Sequence, residues 1–346
     1  MDAECNIASL SARFQEMIQG CENPQINPQL RRAPRVSYRM ADPSTALQEA
    51  GTLALFGFGT GSAASDDPRF LQVALESFDT PAPLEIWQVD GPVSHGVDGA
   101  LRWSSGGGWL FAAMELDEAD YGGPCATAQR AYEHLHRFVA AHSARHVLRV
   151  WNYLAAINQG AGDAERYKQF CEGRAAGMGH FFDDGFPAAT AIGHHGSPHR
   201  LQVYLLACDQ PGTRVENPRQ VSAWRYPRQY GRSAPGFARA MTLPAQDALA
   251  ISGTAAVVGH ASAHQDDLEA QLEETLTNLE ALLGSAGMAA GFDTQSPLKA
   301  YVRHPADAAS VRDFLQRRLP GVPVLLLHGD ICRRELLVEI DGWRYA

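Results

Sequence analysis

The order of strand-like and helix-like segments repeats once along the chain, and this repeat most constrains the fold. Residues 247–346 predict the order β-α-β-α-β-β, and residues 108–209 predict the same order with segments of similar length. The two stretches share few letters, so a chance similarity is the alternative. We interpret the pattern as a duplication, which gives two α+β domains of one type.

The clearest single element is a helix predicted over 266–287. Its leucines fall at helical spacing, and two glycines mark its end. These residues are Leu268, Leu272, Leu276, Leu279, Leu283, Gly284 and Gly287. After it the sequence predicts a strand, a second helix, and two strands joined by the short polar turn CRRE as a final hairpin.

The chain length also favours two domains, because 346 residues exceed the usual size of one hydrophobic core. We place an N-terminal extension and a divergent first domain in residues 1–209. Residues 210–346 form the second domain, which is expected to carry most of the site. Residues 20–50, rich in Pro, Asn and Gln, predict an irregular arm, and GFGTGSAA (57–64) predicts a turn because it lacks the GK[ST] of a phosphate loop.

The net charge and the cysteines indicate which binding partners and which cellular compartment to expect. A formal net charge of −10 argues against nucleic acid or an anionic membrane as the main partner. The six cysteines form no CxxC pair, which is typical of reduced, cytoplasmic proteins. The N-terminal residues do not resemble a signal peptide, and no apolar run is long enough to span a membrane. We therefore expect a cytoplasmic protein.

A carboxylate interrupts an apolar strand near residue 340. Glu339 lies within Leu-Leu-Val-Glu-Ile (336–340), where burial is costly unless the carboxylate is paired, hydrogen-bonded or protonated. When LQVYL (201–205) of the first repeat is aligned with it, Tyr204 takes the position of Glu339. The fold therefore does not require an acid there. Glu339 is either a satisfied structural acid or an acid that some chemistry needs.

Several motifs resemble known families. ISGTA (251–255), QLEETLTNLEALLGSAG (271–287) and LLVEI (336–340) resemble the RidA/YjgF family, which has a chorismate-mutase-like fold. The whole chain is similar to the chorismatases, which contain two such domains, each a mixed sheet packed on one side by helices. The motifs that carry this second resemblance are RVWNYLAAIN (149–158), ERYKQFCEGRAAGM (165–178), NPRQVSAWRYPRQYG (217–231), SGTAAVVGHAS (252–262) and CRRELLVEIDG (332–342).

The resemblance implies a reaction and two catalytic residues. A chorismatase releases pyruvate from chorismate, and Glu339 would protonate the enolpyruvyl methylene carbon, a task suited to an acid of raised pKa. Cys332 matches a cysteine of the aromatising kind, which forms 3-hydroxybenzoate and in some relatives 4-hydroxybenzoate. As thiol or thiolate it could move the ring proton. Hydrolysis to a dihydroxycyclohexadiene carboxylate is the alternative.

Substrate-binding candidates follow from the two carboxylates of chorismate, which planar arginine donors bind well. The segment 217–240 carries five arginines interleaved with tyrosines, and a solvated basic loop is its other interpretation. A further arginine follows the long helix, and small residues could line the ring. The candidates are Arg219, Tyr226, Arg228, Tyr230, Arg239, Arg303, Tyr204, Ala240 and Ala255.

Two other functions remain open from the sequence. The first is a RidA-type imine deaminase. RidA deaminases hold an imino acid with an arginine two residues after a proline, but in this chain Leu325 occupies that position after Pro323. The other is a non-catalytic binder of chorismate or a benzoate.

The histidine pairs lack the spacing of a zinc motif, so we expect no metal. The chemistry needs no organic cofactor, and the duplicated domain suggests a monomer.

Overall fold

Two seven-stranded sheets form the framework of the protein. A computed structural model describes residues 31–59, 65–183, 185–196 and 199–346. The predicted N-terminal extension therefore lies outside the described residues up to position 30, as do residues 60–64 of the predicted GFGTGSAA turn. Strands and helices are numbered below in chain order.

The first sheet contains the strands of the first repeat, with α2 (Pro124–Ala140) and α3 (Arg166–Met178) packed on one face. Apolar residues of these helices and of alternate strand positions form the core between the layers. In spatial order the strands are β19 (Asp330–Ile331), β10 (Ala188–His194), β9 (His146–Ala155), β11 (Arg200–Cys208), β8 (Trp109–Asp117), β7 (Leu101–Gly106) and β6 (Val93–Asp98).

The second sheet belongs to the second repeat, with α4 (Leu268–Ser285) and α5 (Ala308–Arg318) on its outer face. The carboxylate of Asp267 caps α4 by accepting a hydrogen bond from the N–H of Ala270. In spatial order the strands are β12 (Thr213–Val215), β13 (Ala240–Thr242), β14 (Ala248–Thr254), β20 (Val338–Tyr345), β17 (Leu298–Val302), β18 (Val324–His328) and β4 (Glu76–Ser77).

The strand orders of the two repeats coincide. The order β8-β11-β9-β10 in the first sheet corresponds to β14-β20-β17-β18 in the second. In both, the last pair is parallel and the two pairs before it are antiparallel. The predicted fold class, an α+β protein of two repeats with helices on one side of each mixed sheet, is confirmed.

The edges of the two sheets are exchanged between the repeats. Strand β19, from the second repeat, pairs with β10 at the edge of the first sheet. Strand β4, which precedes the first repeat in the chain, pairs with β18 at the edge of the second sheet. Each short strand covers an edge that would otherwise present unpaired backbone groups.

The inner faces of the two sheets pack against each other, so the layers run helix, sheet, sheet, helix. One hydrophobic cluster contains Trp151 and Tyr204 from the first sheet and Tyr301 and Trp343 from the second. The rings of Trp151 and Tyr204 stack with centroids 4.9 Å apart. Arg31–Ala346 forms one compact unit.

The segment before the first repeat is more ordered than its composition predicts. The prediction of an irregular arm over 20–50 is wrong for two stretches. These are β1 (Arg35–Arg39) and α1 (Pro43–Gln48). Asp42 caps α1 and Pro43 opens it, a start signal present in the sequence. Strand β1 belongs to a small sheet in the order β1, β5 (Leu84–Gln88), β2 (Thr52–Phe58), β3 (Phe70–Val73).

Shorter elements complete the described chain. A two-stranded ribbon is formed by β15 (Val257–Val258) and β16 (Ala261–Ser262). Single turns of 3₁₀ helix occupy Glu118–Asp120, Gly162–Ala164, Ala223–Arg225, Arg228–Tyr230 and Pro305–Asp307. Within the described residues, none of the helices has the length and hydropathy needed to cross a bilayer.

The predicted final hairpin is wrong. Strands β18 and β20 are not neighbours, because β17 lies between them in the sheet. Residues 332–337 are therefore a connection that leaves the first sheet after β19 and returns to the centre of the second. Cys332 lies on this connection, between the two sheets.

Candidate active site

A cavity of about 500 Å³ lies between the two repeats, a size suited to a small organic ligand. The first repeat contributes α3 and β10. The second contributes β14, β20, the 220–239 segment and the connection after β19. Its lining residues include Asn152, Glu165, Tyr167, Lys168, Phe170, Cys171, Arg174, Thr190, Gln220, Tyr226, Gln229, Tyr230, Phe237, Arg239, Gly253, Ala255, Cys332, Arg333, Arg334, Glu335 and Glu339.

Glu339 is a buried acid that lines this cavity. Val338 and Ile340 point into the helix-side core, so the side chain of Glu339 points to the opposite face and lines the cavity. Only 5% of the residue is exposed. Burial, together with the charge of Asp341, raises the pKa of its carboxyl group to about 8, against the opposing charges of Arg149, Arg239 and Arg333.

Within the described residues, the carboxyl group of Glu339 takes part in no hydrogen bond. Among the residues that the structure describes, none donates a hydrogen bond to it. A structural acid would be expected to have such partners. With a pKa of about 8, the carboxyl group favours its protonated form at neutral pH, and no described partner holds it away from a ligand.

Gly253 provides the space that Glu339 occupies. Strand β14 is irregular between Ile251 and Thr254, opposite β20. A methyl group at Gly253 would overlap Oε1 of Glu339. The N–H of Gly253 donates a hydrogen bond of 3.0 Å to Oγ1 of Thr190, which belongs to the other sheet.

Asp341 lies behind Glu339 on the same face of β20 and is fully buried. Its Oδ2 accepts hydrogen bonds from Arg149, Trp151, Thr190 and Tyr301. Three of these donors belong to the first repeat, so the network ties the two sheets together close to Glu339.

A second ion pair continues this network. Nζ of Lys299 lies 3.0 Å from Oε2 of Glu85 and 3.9 Å from Oδ1 of Asp341. With Arg149 the network holds two cations and two carboxylates, which keeps the buried charge balanced.

Cys332 lines the same cavity as a thiol. Burial and the nearby Glu339 raise the pKa of its thiol to about 12. A standing thiolate at neutral pH, one of the two states considered from the sequence, is therefore disfavoured.

One wall of the cavity combines arginines with tyrosine rings. Nη2 of Arg239 donates to the hydroxyl of Tyr226 at 2.7 Å. The guanidinium of Arg333 lies over the rings of Tyr226 and Tyr230, at 5.1 and 4.1 Å. Tyr230 donates a hydrogen bond of 2.6 Å to the carbonyl of His260. Of the predicted residues, the cavity brings together Glu339, Cys332, Tyr226, Tyr230, Arg239 and Ala255.

Two predicted arginines of the 217–240 segment lie outside the cavity lining. Arg228 forms a two-point ion pair with Asp163, and its side chain is 62% exposed. Arg219 binds Asn278 and Glu274 of α4. Both guanidinium groups are therefore already bound to acceptors of the protein itself.

Arg303 also lies outside the lining, and its guanidinium holds the connection that carries Cys332. Its nitrogens donate to the carbonyls of Leu336, Ile331 and Arg333 and to the side chain of Asp330. All of its nitrogens are occupied, so its place in this structure is that of a clamp on the connection.

Tyr204 and Ala240 are in the core and do not line the cavity. Tyr204 faces the same way from its sheet as Glu339 does, but its hydroxyl is hydrogen bonded to that of Tyr153. Ala240 faces the helix-side core of the second repeat. Both are fully buried.

Two cavity residues on α3 are not predicted from the sequence. Arg174 and Cys171 lie one turn apart on this helix and both line the cavity. Their helix belongs to the first repeat, and no sequence signal indicates that its face meets a site in the second. Arg333 is not predicted for a different reason, because the stretch CRRE that contains it indicates a polar turn.

The chain matches characterised proteins in sequence and structure. A family model described as "Chorismatase FkbO/Hyg5-like, N-terminal" matches residues 85–207. A chorismatase of Streptomyces hygroscopicus is 34% identical over 312 residues, which cover 84% of this chain and 88% of the relative. A crystal structure of a chorismatase aligns with a TM-score of 0.80 at 31% identity, covering 90% of this chain and 98% of that one. The chain therefore belongs to the chorismatase family.

A further relative narrows the comparison. A protein of Streptomyces hygroscopicus named 3-hydroxybenzoate synthase is 35% identical over 277 residues. The match covers 75% of this chain and 80% of the relative.

Proposed function

We propose that the protein converts chorismate to 3-hydroxybenzoate and pyruvate, with Glu339 as the acid. The observation that carries this proposal is the free, buried carboxyl group of Glu339 in a cavity lined by arginines, with a pKa of about 8. Cationic side chains suit a dianionic substrate, and family membership supports the substrate class. No step requires a metal or an organic cofactor.

The first step is protonation of carbon, which is slow without a positioned acid. Glu339 gives its proton to the enolpyruvyl methylene, which becomes a methyl group, and the ether carbon becomes an oxocarbenium ion. Attack by the neighbouring ring hydroxyl forms a cyclic ketal and releases a proton that returns Glu339 to its acid form.

The second step makes the ring aromatic. The hydrogen on the ring carbon that keeps its oxygen leaves as a proton while the C–O bond at the adjacent ring carbon breaks, and the departing oxygen takes up that proton to give a hemiketal. Collapse of the hemiketal frees pyruvate and 3-hydroxybenzoate. The two product acids together contain the atoms of chorismic acid, so no water is consumed. Because Cys332 is a thiol at neutral pH, we assign it a proton relay and not a permanent base.

The experiment that tests the activity is incubation of the protein with chorismate and separation of the products. Pyruvate and 3-hydroxybenzoate are expected, with 4-hydroxybenzoate as a minor product. In D2O the pyruvate methyl group should carry one deuterium from the protonation step. Absence of turnover would favour a non-catalytic binder, and ammonia release from an imino acid would favour a deaminase.

Two variants test the residue roles. Glu339→Gln should lose most of the activity and remain folded, whereas Glu269→Gln, at an exposed position of α4, should retain it.

Cys332→Ala should still release pyruvate but give a dihydroxycyclohexadiene carboxylate, which consumes one water. Unchanged 3-hydroxybenzoate formation by Cys332→Ala would contradict the role of Cys332 as a proton relay.

We further propose that the protein acts as a cytoplasmic monomer with domains at 1–209 and 210–346. The exchanged strands β4 and β19 let one chain cover an edge of each of its own two sheets. Light scattering at micromolar concentration should give the mass of one chain, and a stable trimer would contradict the monomer.

A further inference from the structure

The hydroxyl group of Thr190 makes three hydrogen bonds beside the cavity. Thr190 lies on β10 of the first sheet and is 2% exposed. Its Oγ1 accepts from Nη2 of Arg149 at 2.5 Å and from the N–H of Gly253 at 3.0 Å. It donates to Oδ2 of Asp341 at 2.7 Å. A hydroxyl has one donor and two acceptor lone pairs, so these three partners fix its orientation.

The N–H group of Gly253 lies outside the ladder between β14 and β20. The register of these strands shifts between Ile251 and Thr254, so Gly253 has no partner on β20. An added methyl group on Gly253 would overlap Oε1 of Glu339. Two acceptors therefore compete for this N–H: the hydroxyl of Thr190 and the carboxyl group of Glu339.

The choice between these acceptors decides how firmly Glu339 keeps its proton. A hydrogen bond from a backbone N–H stabilises a carboxylate more than the neutral acid and so lowers its pKa. In the structure the N–H of Gly253 donates to Thr190, and among the described residues none donates to Glu339. The hydroxyl of Thr190 thus takes up a donor that would favour the ionised form of the acid.

Other groups act on Glu339 through their charge. Asp341 on its own strand favours the neutral acid, whereas three arginines favour the carboxylate, and a thiol and a phenol also lie near it. These groups are Arg149 of β9, Arg239 next to β13, Arg333 and Cys332 of the connection after β19, and Tyr167 of α3. A variant that lacks only the hydroxyl of Thr190 keeps every one of them.

We propose that Thr190 is a positioning residue for the acid: its hydroxyl binds the N–H of Gly253 and so leaves the carboxyl group of Glu339 free to give its proton to the substrate. The inference rests on the proposed function for the reaction that uses this proton. The hydrogen bond to Asp341 contributes, because it points the O–H away from Gly253 and a lone pair toward it.

Thr190→Val, which nearly keeps the shape of the side chain but lacks the hydroxyl, tests this role. The N–H of Gly253 should then turn to Glu339. The alkaline limb of kcat/KM for pyruvate release should move to lower pH by about 1–2 pH units, the effect of one charge-assisted hydrogen bond on a carboxylate. Thr190→Ser restores the hydroxyl and should return the limb to its wild-type position.

Thr52→Val is the matched control. It removes a fully buried hydroxyl that donates to the carbonyl of Ala46, and Thr52 does not line the cavity. This variant should have a lower melting temperature and an unshifted limb. A purely structural role of Thr190 would give the same result in Thr190→Val.

Chemical denaturation follows the same carboxyl group without turnover. The proton on native Glu339 contributes stability that is full below pH 4.5 and is lost as the pH rises to the native pKa. The difference in unfolding free energy between a protein and its Glu339→Gln variant therefore levels off at that pKa. It should level off at a lower pH in the Thr190→Val background than in the wild type.

The outcomes separate this inference from the proposed function. Wild-type protein that does not turn over chorismate contradicts the function, and the denaturation series still tests Thr190. Wild-type turnover with an unshifted limb in Thr190→Val overturns the inference alone, as does an equal shift in Thr190→Ser. Where Thr190→Val does not fold, Thr190→Ala also lacks the hydroxyl and takes its place, with the same expected shift and the same contrary result.

Discussion

Glu339 and Asp341 lie two residues apart on one face of β20, and the charge of Asp341 adds to burial in raising the pKa of Glu339. The two acids differ in their partners. Four donors bind Oδ2 of Asp341, whereas no described residue donates to Glu339. One carboxylate is thereby tied into the scaffold, and its charge helps to keep the proton on the other.

The pH dependence of the reaction should follow Glu339. The acid form is required, and with a pKa of about 8 it is present below pH 8 and lost above it. We expect kcat/KM to be flat from about pH 6 to 7 and to fall roughly tenfold per pH unit well above 8. A profile of initial rates of pyruvate release measures this, and a flat profile to pH 10 would contradict an essential acid at Glu339.

Glu339 should lower the stability of the wild type as the pH rises. Its native pKa of about 8 exceeds the ordinary 4.5, so the native state holds a proton that the unfolded state releases. The stabilisation is present in full below pH 4.5 and is lost as the pH rises to 8. At about 1.4 kcal/mol per unit, the loss is at most roughly 4–5 kcal/mol.

Glu339→Gln lacks this titration and should gain stability relative to the wild type between pH 5 and pH 9. Chemical denaturation at several pH values, in parallel on both proteins, gives the difference. An equal pH slope in the two proteins would show that Glu339 is not the titrating group. The variant is thus expected to lose activity and gain stability at alkaline pH.

Asp341→Asn should move the alkaline limb of the rate profile to lower pH. Removal of the charge lowers the pKa of Glu339, so the acid form is lost at a lower pH. The variant also leaves Arg149 buried beside a neutral group, which should destabilise the fold by about 3–5 kcal/mol. Glu85→Gln is the matched control, since it breaks the ion pair with Lys299 in the same network. A comparable loss of stability with an unshifted rate profile is expected for it.

Gly253→Ala should abolish most of the activity with a moderate loss of stability. The new methyl group overlaps Oε1 of Glu339 and forces the carboxyl group to rotate or the strand to move, at a cost of about 1–3 kcal/mol. Gly284→Ala in α4 meets nothing within 4 Å and should leave both properties unchanged or stabilise the helix. Full activity of Gly253→Ala would show that Glu339 does not need its observed position.

The repeat and its strands could be predicted from the sequence because local patterns determine them. The helix predicted over 266–287 matches Leu268–Ser285, since leucine spacing and an Asp cap both act within a few residues. Glu339 stood out for a similar reason, as a carboxylate among apolar neighbours. These signals do not depend on what packs against the strand.

The remaining parts of the site depend on contacts between distant segments. Arg174 lines the cavity only because α3 of the first repeat faces β14 and β20 of the second. Arg303 looked like a substrate ligand, yet its acceptors are carbonyl groups about 30 residues further along the chain. The hairpin prediction failed because β17 takes the place beside β20 that β18 would have had.

The exchanged edge strands also bear on how the protein forms during synthesis. The edge of the first sheet at β10 has no partner until residues 330 and 331 have left the ribosome, more than a hundred residues later. The cavity is closed by the connection that follows those same two residues. A growing chain can therefore assemble the first repeat early, but its open edge and the half-built cavity persist until nearly the last strand is made.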